Sequence, residues 1–449
     1  MLRRGDVLVV GGGPAGAALA LLLARDGVAV VLVEHGRAHR SGPFETMLAS
    51  ARALLVRCGL DDVVAAAAEP DPLRHGASWG SGGLVWREPE AGGLLLRRGP
   101  FDARLRAAAA QAGAVVRCPA QVRADGDAFE LRGEGGEERL HARVVVHATG
   151  RGGVRQRHGP HTIACTFLGE PDPADRATAV VEAVEAGWSW THVPPQGPAA
   201  CAWFVDGALD PAVRRAAVQQ AFASGRGPAA RLRDVQLRFA NDATPTVADA
   251  VPAVLSLGDA VATADPLSSQ GVEKALAAAE HAAAIVRTAL GEPACTERLF
   301  ALHRRWELGL ATAHRGTAQQ WYGREDRFAA APFWRARTVA VPSPLSLPEG
   351  HLQAASTLTM QPVLVRNGAR FARVDGVRDS ATGDERSHIG YVPIAPVLAA
   401  FALPRSLGDA VRQAGPDARL FVLPPRAVHA AMLELVRLGW LVPTGLARA

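Results

Sequence analysis

The segment Asp6–Glu34, DVLVVGGGPAGAALALLLARDGVAVVLVE, constrains the fold of this 449-residue chain more than any other stretch. Val7–Val10 is a short β-branched run, Gly11–Gly16 a glycine-rich turn, and an apolar pattern of helical spacing runs on to Ala24. A second β-branched run, Val28–Val33, ends on Glu34. The order is strand, glycine turn, helix, strand, acid, which suits a dinucleotide. Gly11 allows the tight turn, Gly13 lets a pyrophosphate approach the backbone, and Gly16 lets the helix lie close on the strand. Pro14 and Ala15 open the helix, whose N-terminal amides and dipole favour a phosphate. Glu34 is placed to accept hydrogen bonds from an adenosine ribose.

A chain of this length holds two or three domains, and 48% hydrophobic with 21% charged residues describes a soluble globular protein. The formal charge is +5, yet Lys274 is the only lysine, so the excess follows a general enrichment in Ala, Arg and Gly. No basic block with interleaved aromatics occurs, which argues against a nucleic-acid partner. Five scattered cysteines without C-x-x-C point to a reducing compartment, with no disulfide framework and no structural zinc. The histidines show no metal-ligand spacing. The first strand follows Met1–Arg4 directly, leaving no signal peptide, and apolar runs such as Ala17–Ala24 are too short to span a bilayer. The expected location is the cytoplasm, away from membranes.

Further along, Pro43–Leu60 has a helical pattern that ends at Gly59, and Glu45 either caps it, the expected role, or faces the bound ligand. His75–Arg87 is glycine-rich and carries Trp79; Gly92–Arg98 reads as a strand and Pro100–Ala114 as an alanine-faced helix. Val115–Cys118 and a hairpin over Arg123–Arg139 precede the apolar strand Arg143–Gly150, which ends in Ala-Thr-Gly. In a doubly wound sheet such a turn lies beside the ligand crevice. Runs at Ile163–Leu168, Thr178–Ala186, Trp188–Val193 and Ala199–Val205 predict an antiparallel sheet, and Arg214–Ser224 a helix. Val254–Asp259 returns to the first domain as a strand; helix follows over Gly271–Leu290 and from Thr296 to Arg337. Val341–Pro348 reads as a linker.

Leu255–Ala275, LSLGDAVATADPLSSQGVEKA, is the second informative stretch. A strand delivers Gly258 and Asp259, and the loop Asp265–Gln270, with Pro266, opens the long helix at Gly271 and Val272. An acid at a strand end can hold a polyol hydroxyl. The helix amides offer partial positive charge to a ring that becomes anionic on reduction.

These features together, with the arginine of LRRGPFDARL (Arg98), resemble FAD-dependent monooxygenases of the glutathione-reductase-like class over about Asp6–Arg337. The resemblance implies an α/β fold: an FAD-binding Rossmann-like domain of glutathione-reductase type with an inserted antiparallel β-sheet substrate domain. A small C-terminal winged-helix-like domain completes it. The FAD-binding domain would comprise 1–160 and 250–340, with a helical extension at 295–340, and the substrate domain 161–249, with 75–97 a candidate addition. Gly11, Gly13, Gly16 and Glu34 would hold the ADP half of FAD, Arg98 would contact the cofactor, and Gly258 with Asp259 would hold the ribityl chain. Pro266 and the amides of Gln270, Gly271 and Val272 would face the flavin pyrimidine.

A narrower likeness rests on SWGS at Ser78–Ser81, RRGPFD at Arg97–Asp102, DPLSSQG at Asp265–Gly271, and WYGREDRF with FWRAR within Trp321–Arg337. These resemble flavoproteins that hydroxylate a protein tryptophan during tryptophylquinone maturation. What this implies is hydroxylation through a flavin C4a-hydroperoxide, with NAD(P)H or reduced flavin as reductant. The partner would be a tryptophan-bearing polypeptide, namely the small subunit of a quinohemoprotein amine dehydrogenase. An apolar wall of Trp188, Trp190 and His192, which alternation places on one sheet face, together with Trp79 would orient the indole, though each tryptophan is equally readable as core. His192 is a further candidate acid or base.

Two departures stand out. Thr149 precedes Gly150 where the wider class carries Asp-Gly, and Gly153 replaces a common serine, which speaks against direct NAD(P)H handling at that turn. Trp188-Ser189-Trp190 resembles the W-x-W-x-I-P motif of flavin-dependent halogenases with one residue inserted, but the lysine that activates hypohalous acid is missing. Lys274, one turn into the post-GD helix, is expected to have a surface or dipole role. The alternatives are a monooxygenase or halogenase acting on a free small aromatic molecule, and a non-catalytic FAD-bearing maturation chaperone.

The last 100 or so residues form a separate unit. A hairpin over Pro362–Arg378 turns at Asn367-Gly368. Helical runs at Ile394–Phe401, Leu407–Ala414 and Ala427–Leu438 lead to a strand at Gly439–Val442, an order that resembles a winged helix. Its last helix carries only two arginines, one near each end, which does not suit duplex DNA. Docking of a protein substrate is one expected use, and a packing domain or dimer contact is the other.

Overall fold

The computed structural model describes residues 2–36, 45–47, 49–65, 68–70, 73–87, 93–152, 155–251, 253–268, 270–338, 346–418 and 423–444. Gly153, Ser269, the arginine-bearing loop 37–42 and most of the linker at 341–348 lie outside them. The chain divides into two compact units, Met1–Ala340 and Val341–Ala449.

The first unit is built on a seven-stranded sheet. Leu2–Val10 is its centre, parallel to Val30–Val33 on one side and to Gly136–His147 on the other, with Val7 opposite both Val30 and Val144. Val115–Arg117 extends one edge. Val254–Ser256 joins the far end of Gly136–His147 in parallel, so the chain does return to this sheet. The near end of Gly136–His147 pairs with the hairpin Ala120–Asp125 and Ala128–Gly133. Helix α1, Pro14–Arg25, follows the glycine turn and is buried along most of its length. Its neighbours are α2, Arg98–Gln111, and α4, Gly271–Gly291, whose fully buried Ala278, Ala279, Ala282 and Ala283 allow close approach.

Three glycines make that approach possible. Gly11 sits at φ +108°, and a Cβ there would lie 2.2 Å from the Ala148 carbonyl oxygen. A Cβ on Gly16 would lie 2.0 Å from the Gly11 carbonyl oxygen and 2.9 Å from Ala148 Cβ. Gly258, at φ +65°, brings its strand end to Ala15.

The inserted sheet also has seven strands, in the order Arg233–Asp242, Thr162–Glu170, Ala199–Asp206, Gly187–Val193, Thr178–Val184, Arg74–Ser78, Val85–Arg87. All neighbours are antiparallel except Arg74–Ser78 with Thr178–Val184. Part of 75–97 therefore belongs here, while Leu94–Leu96 pairs elsewhere, with Glu45–Met47 and Ala68–Pro70. Arg233–Asp242 alternates Val235, Leu237 and Phe239, a strand signal that the reading of the sequence passed over; it is an exposed edge strand whose register shifts twice against its neighbour. One face of the sheet packs Cys201, Trp203 and Val205 on Val218 and Ala221 of α3, Pro211–Ser224. The other face packs Trp188 and Phe204 against Tyr322, Phe333 and Trp334. Tyr322 closes the long helix α5, Thr296–Tyr322.

The helix expected over 43–60 is corrected. Glu45–Met47 is a strand, and helix is confined to Arg52–Cys58 after a short 3-10 turn, because Glu45 and Thr46 pair with Leu96 and Leu95. Glu45 therefore caps nothing. Arg98, expected to end a strand, opens α2.

The second unit carries the hairpin Leu358–Asn367 and Arg370–Asp379, turning at Gly368 with φ +58°. Helices Ile394–Ala400, Leu407–Ala418 and Pro425–Arg437 pack around Leu352, Phe401, Leu435 and Trp440. Its sheet runs Arg405–Ser406, His351–Ala354, Leu441–Pro443. Helix, strand, helix, helix, strand is winged-helix order, but the central strand is supplied from before the first helix.

A methyl group at Gly16 meets the Gly11 carbonyl and Ala148 Cβ, neither of which can swing aside, so Gly16→Ala is expected to lose about 1–3 kcal/mol of stability, read as a lower denaturant midpoint of the apoprotein.

Candidate cofactor and active site

A cavity of about 860 Å³ runs along the carboxyl ends of the parallel strands. It collects residues that lie far apart in the chain: Gly11, Gly13, Pro14, Ala15, Glu34, Arg98, Thr149, Asp259, Gly271 and Val272 all line it. This is where a doubly wound sheet places a ligand. Gly16 lies behind it as a spacer between helix and strand.

At one end, Glu34 accepts the N–H of Gly12 (2.6 Å) through Oε2 and that of Gly36 (2.8 Å) through Oε1, which holds its carboxylate at the cavity wall. A Cβ at residue 13 would meet no protein atom within 4 Å and would project into the cavity, and the same holds at Gly271. The Gly13 backbone is thus open to a phosphate beside the first turn of α1.

The middle of the cavity is lined by arginines. Arg98 donates to Glu45 Oε1 at 2.8 Å and to both oxygens of the fully buried Asp102 at 3.3 Å. Burial opposes its charge, but Glu45 and then Asp102 outweigh that and hold the guanidinium above its ordinary value. Arg106 donates to the Gly12 carbonyl oxygen at 2.9 Å. Arg106 was not singled out in the sequence, although 98, 102 and 106 are spaced four apart and share one helical face, a signal that could have found it. Glu45 does line the cavity, the reading ranked second to capping, and its pairing with Arg98 was hidden because the two segments are remote in sequence.

At the far end, Gly258 and Asp259 follow Val254–Ser256 in a short 3-10 turn. The Gly258 N–H donates to Glu307 Oε1 of α5 at 2.5 Å. Asp259 faces the cavity with its oxygens 3.5 Å from Lys274 Nζ and 3.6 Å from Arg151 Nε. Lys274 is only 2% exposed, so the expected surface role is corrected. Pro266, in a 3-10 turn, and Gln270, at the N-cap of α4, precede Gly271 and Val272 in the chain but are not among the residues that line the cavity.

The Asp265 turn is tied to the inserted sheet. Trp188 Nε1–H donates to the Tyr322 hydroxyl at 3.2 Å, and that hydroxyl donates to the Asp265 carboxylate at 3.1 and 3.3 Å. Burial pushes the Asp265 carboxyl up, against the Leu267 N–H and the Tyr322 hydroxyl. Burial and Asp265 together push the Tyr322 phenol well up.

Trp79 and Trp188 do not line the 860 Å³ cavity; they belong to an aromatic cluster in which Trp188 is 2% exposed and stacks on Phe204 at 3.9 Å. Trp79 meets Trp334 edge-on at 5.1 Å and donates to the Trp321 carbonyl oxygen at 2.8 Å. Trp190 is half-buried and lies 6.0 Å from the ring of His192, which is buried. Trp188, Trp190 and His192 do share one sheet face, opposite Phe204, Ala202 and Ala200. Two motifs quoted separately are joined here: Gly80 donates to Glu325 at 2.8 Å, and Arg327 to the Ser78 carbonyl oxygen at 3.2 Å. A second cavity, about 750 Å³, opens at the Val184–Ala186 end of this sheet and is walled by Phe328 and Phe333 of the same cluster.

Residues 4–166 match the family model described as the FAD binding domain. The chain carries an FAD binding domain. No curated protein sequence matches it. Among solved structures it is similar to peptidyl tryptophan dihydroxylase QhpG, essential for tryptophylquinone cofactor biogenesis: 23% identity, 97% of this chain and 100% of that one, TM-score 0.71. It is similar to CmlS, a flavin-dependent halogenase, at 18% identity over 98% of this chain and 96% of that one, TM-score 0.73. It is also similar to p-nitrophenol 4-monooxygenase PnpA from Pseudomonas putida DLL-E4, at 19% identity over 75% of this chain and 96% of that one, TM-score 0.57. The fold is therefore that of flavin-dependent monooxygenases and halogenases, as the motifs led us to expect. FAD fits the cavity: the open backbone at Gly13, the carboxylate at Glu34 and the acid at Asp259 supply in sequence what phosphate, ribose and ribityl groups require.

The raised Asp265 carboxyl has a consequence for stability. From the ordinary value of 3.8 up to the raised one, the native state binds more proton than the unfolded chain, so stability falls as pH rises through that window. Asp265→Asn keeps an acceptor for Leu267 and Tyr322 without the charge. Its stability relative to the native chain is expected to improve as pH rises above 3.8, in denaturant titrations at stepped pH.

Proposed function

We propose that the chain is an FAD-dependent monooxygenase that hydroxylates a tryptophan side chain in a partner polypeptide, in the cytoplasm, as a step of tryptophylquinone cofactor biogenesis. The observation that carries this reading is likeness to QhpG along the whole length of both chains, second unit included, at a higher identity (23%) than the comparably complete match to CmlS (18%), whereas PnpA matches three quarters of this chain. We assign 1–160 and 250–340 to FAD, 161–249 with Arg74–Arg87 to the substrate, and 350–449 to partner docking.

In this reading Gly11, Gly13, Pro14, Ala15 and Glu34 hold the ADP half, with Gly16 setting the helix against the strand. Arg98, Gly258 and Asp259 hold the middle of the cofactor. Pro266, Gln270, Gly271 and Val272 present helix N-terminal amides to its ring, where they favour negative charge. Bound FAD, once reduced by NAD(P)H or by a separate reduced flavin, supplies the two electrons with which dioxygen is split and one oxygen atom transferred to carbon. The protein's part is to exclude water and orient the indole. Trp79 and Trp188 serve this as packed wall behind the site, while half-buried Trp190 keeps surface with which to touch a substrate. His192 is the candidate acid or base on that face. The cavity at Val184–Ala186 offers a partner segment an approach beside the same cluster.

Likeness to CmlS favours a second reading, halogenation or hydroxylation of a free small aromatic molecule. Lys274 weighs against halogenation, because the only ammonium is buried between carboxylates and has no free approach to hypohalous acid. Mass spectrometry of a tryptophan-bearing partner polypeptide, incubated with the protein, FAD, reductant and oxygen, decides. Gain of whole oxygen atoms on tryptophan is expected. Chlorination supports the halogenase, and binding without a mass change supports a maturation chaperone. Deleting Val341–Ala449 is expected to abolish partner capture while FAD stays bound, measured by partner pull-down and flavin absorbance.

A further inference from the structure

Lys274 occupies a position that general considerations disfavour for a cation. It lies in the first turns of α4, at the positive end of the helix dipole, and it is buried. Its ammonium donates to the Ala262 carbonyl oxygen and stands 3.5 Å from Asp259 Oδ1 and 3.9 Å from Glu307 Oε2. Glu307, fully buried on α5, accepts the Gly258 N–H through its other oxygen, which also lies 3.6 Å from His303 Nε2. A buried ion of either sign is tolerated only when paired and hydrogen-bonded. Here one lysine stands between two acids with different tasks: Asp259, which Arg151 also approaches, lines the cavity, and Glu307 holds the backbone just before it.

We propose that Lys274 is the positioning residue of the FAD site, fixing Asp259 at the cavity wall while Glu307 fixes Gly258, so that α4 and α5 set the Gly-Asp turn as one ion-paired unit. The dinucleotide end of the cavity needs no such device, since backbone amides hold Glu34. At the Gly-Asp end the acceptor is a side chain on a turn, and its aim depends on a cation behind it. The interaction belongs to this chain's interior and contributes to cofactor affinity rather than to the transfer of oxygen.

Lys274→Met alone leaves Glu307 buried and uncompensated, and folding suffers for that reason. The informative variant is Lys274→Met with Glu307→Gln, which removes both charges and keeps an amide oxygen for Gly258. Its apoprotein is expected to melt close to the native chain, with FAD bound about tenfold or more weakly, in line with loss of a hydrogen bond to a charged group. FAD affinity within about threefold of the native protein, measured by flavin fluorescence, overturns the proposal. Should the double variant not fold, the full-length native chain decides: labelled at its single lysine nitrogen, it is expected to show one solvent-protected ammonium resonance that shifts when FAD is added. A rapidly exchanging signal, or one that FAD leaves unmoved, overturns it. The proposal rests on the FAD reading of the cavity, and the two fail differently. A native chain that binds no FAD fails that reading, whereas equal affinity in the variant fails Lys274 alone.

Discussion

Backbone packed on backbone at Gly11 is the contact on which the rest of the site depends. The Gly11 Cα faces the Ala148 carbonyl, and Gly16 faces the Gly11 carbonyl, at distances that leave no room for a side chain. Glycine is permissive at φ +108°, and here the sterics as well as the dihedral require it. This contact seats α1 on the central strand and brings the Thr149-Gly150 turn beside the glycine turn. The cavity exists because four strand ends and the N-termini of α1, α2 and α4 reach the same place.

Around that frame, polar groups fix position in two ways. Near Glu34 the backbone donates, so the geometry is inherited from the turn itself. Near Arg98 and Asp259 the partners are side chains: Glu45 from a remote strand and Asp102 from the next turn of α2 in one case, and Lys274, Glu307 and Arg151 from remote segments in the other. Paired buried charges of this kind add specificity of arrangement more reliably than they add stability. A single phenol then joins the two sheets of the unit, with Tyr322 taking a hydrogen bond from Trp188 and giving one to Asp265. A change on the tryptophan face is therefore felt at the turn that opens α4.

The aromatic residues show how composition and position separate. Alternation placed Trp188, Trp190 and His192 on one face correctly, because period two is a property of any strand. It carried no information about what covers that face. Phe333 and Trp334, with Tyr322, cover Trp188 and exclude it from the 860 Å³ cavity, while Trp190 retains exposure.

By itself the sequence determined the strand, glycine turn, helix, strand and acid unit, the later return at Gly258-Asp259, the dinucleotide class of ligand, and a separate C-terminal unit. Each is local: it rests on dihedral freedom, periodicity, or an acid at a strand end, and needs only neighbours in the chain. The tertiary structure alone decided that Glu45 is a strand residue paired to Arg98, that Arg233–Asp242 is an exposed edge strand beside Thr162–Glu170, and that the one lysine is buried between Asp259 and Glu307. Those outcomes depend on burial and charge compensation between segments up to fifty or more residues apart, which no window of sequence contains.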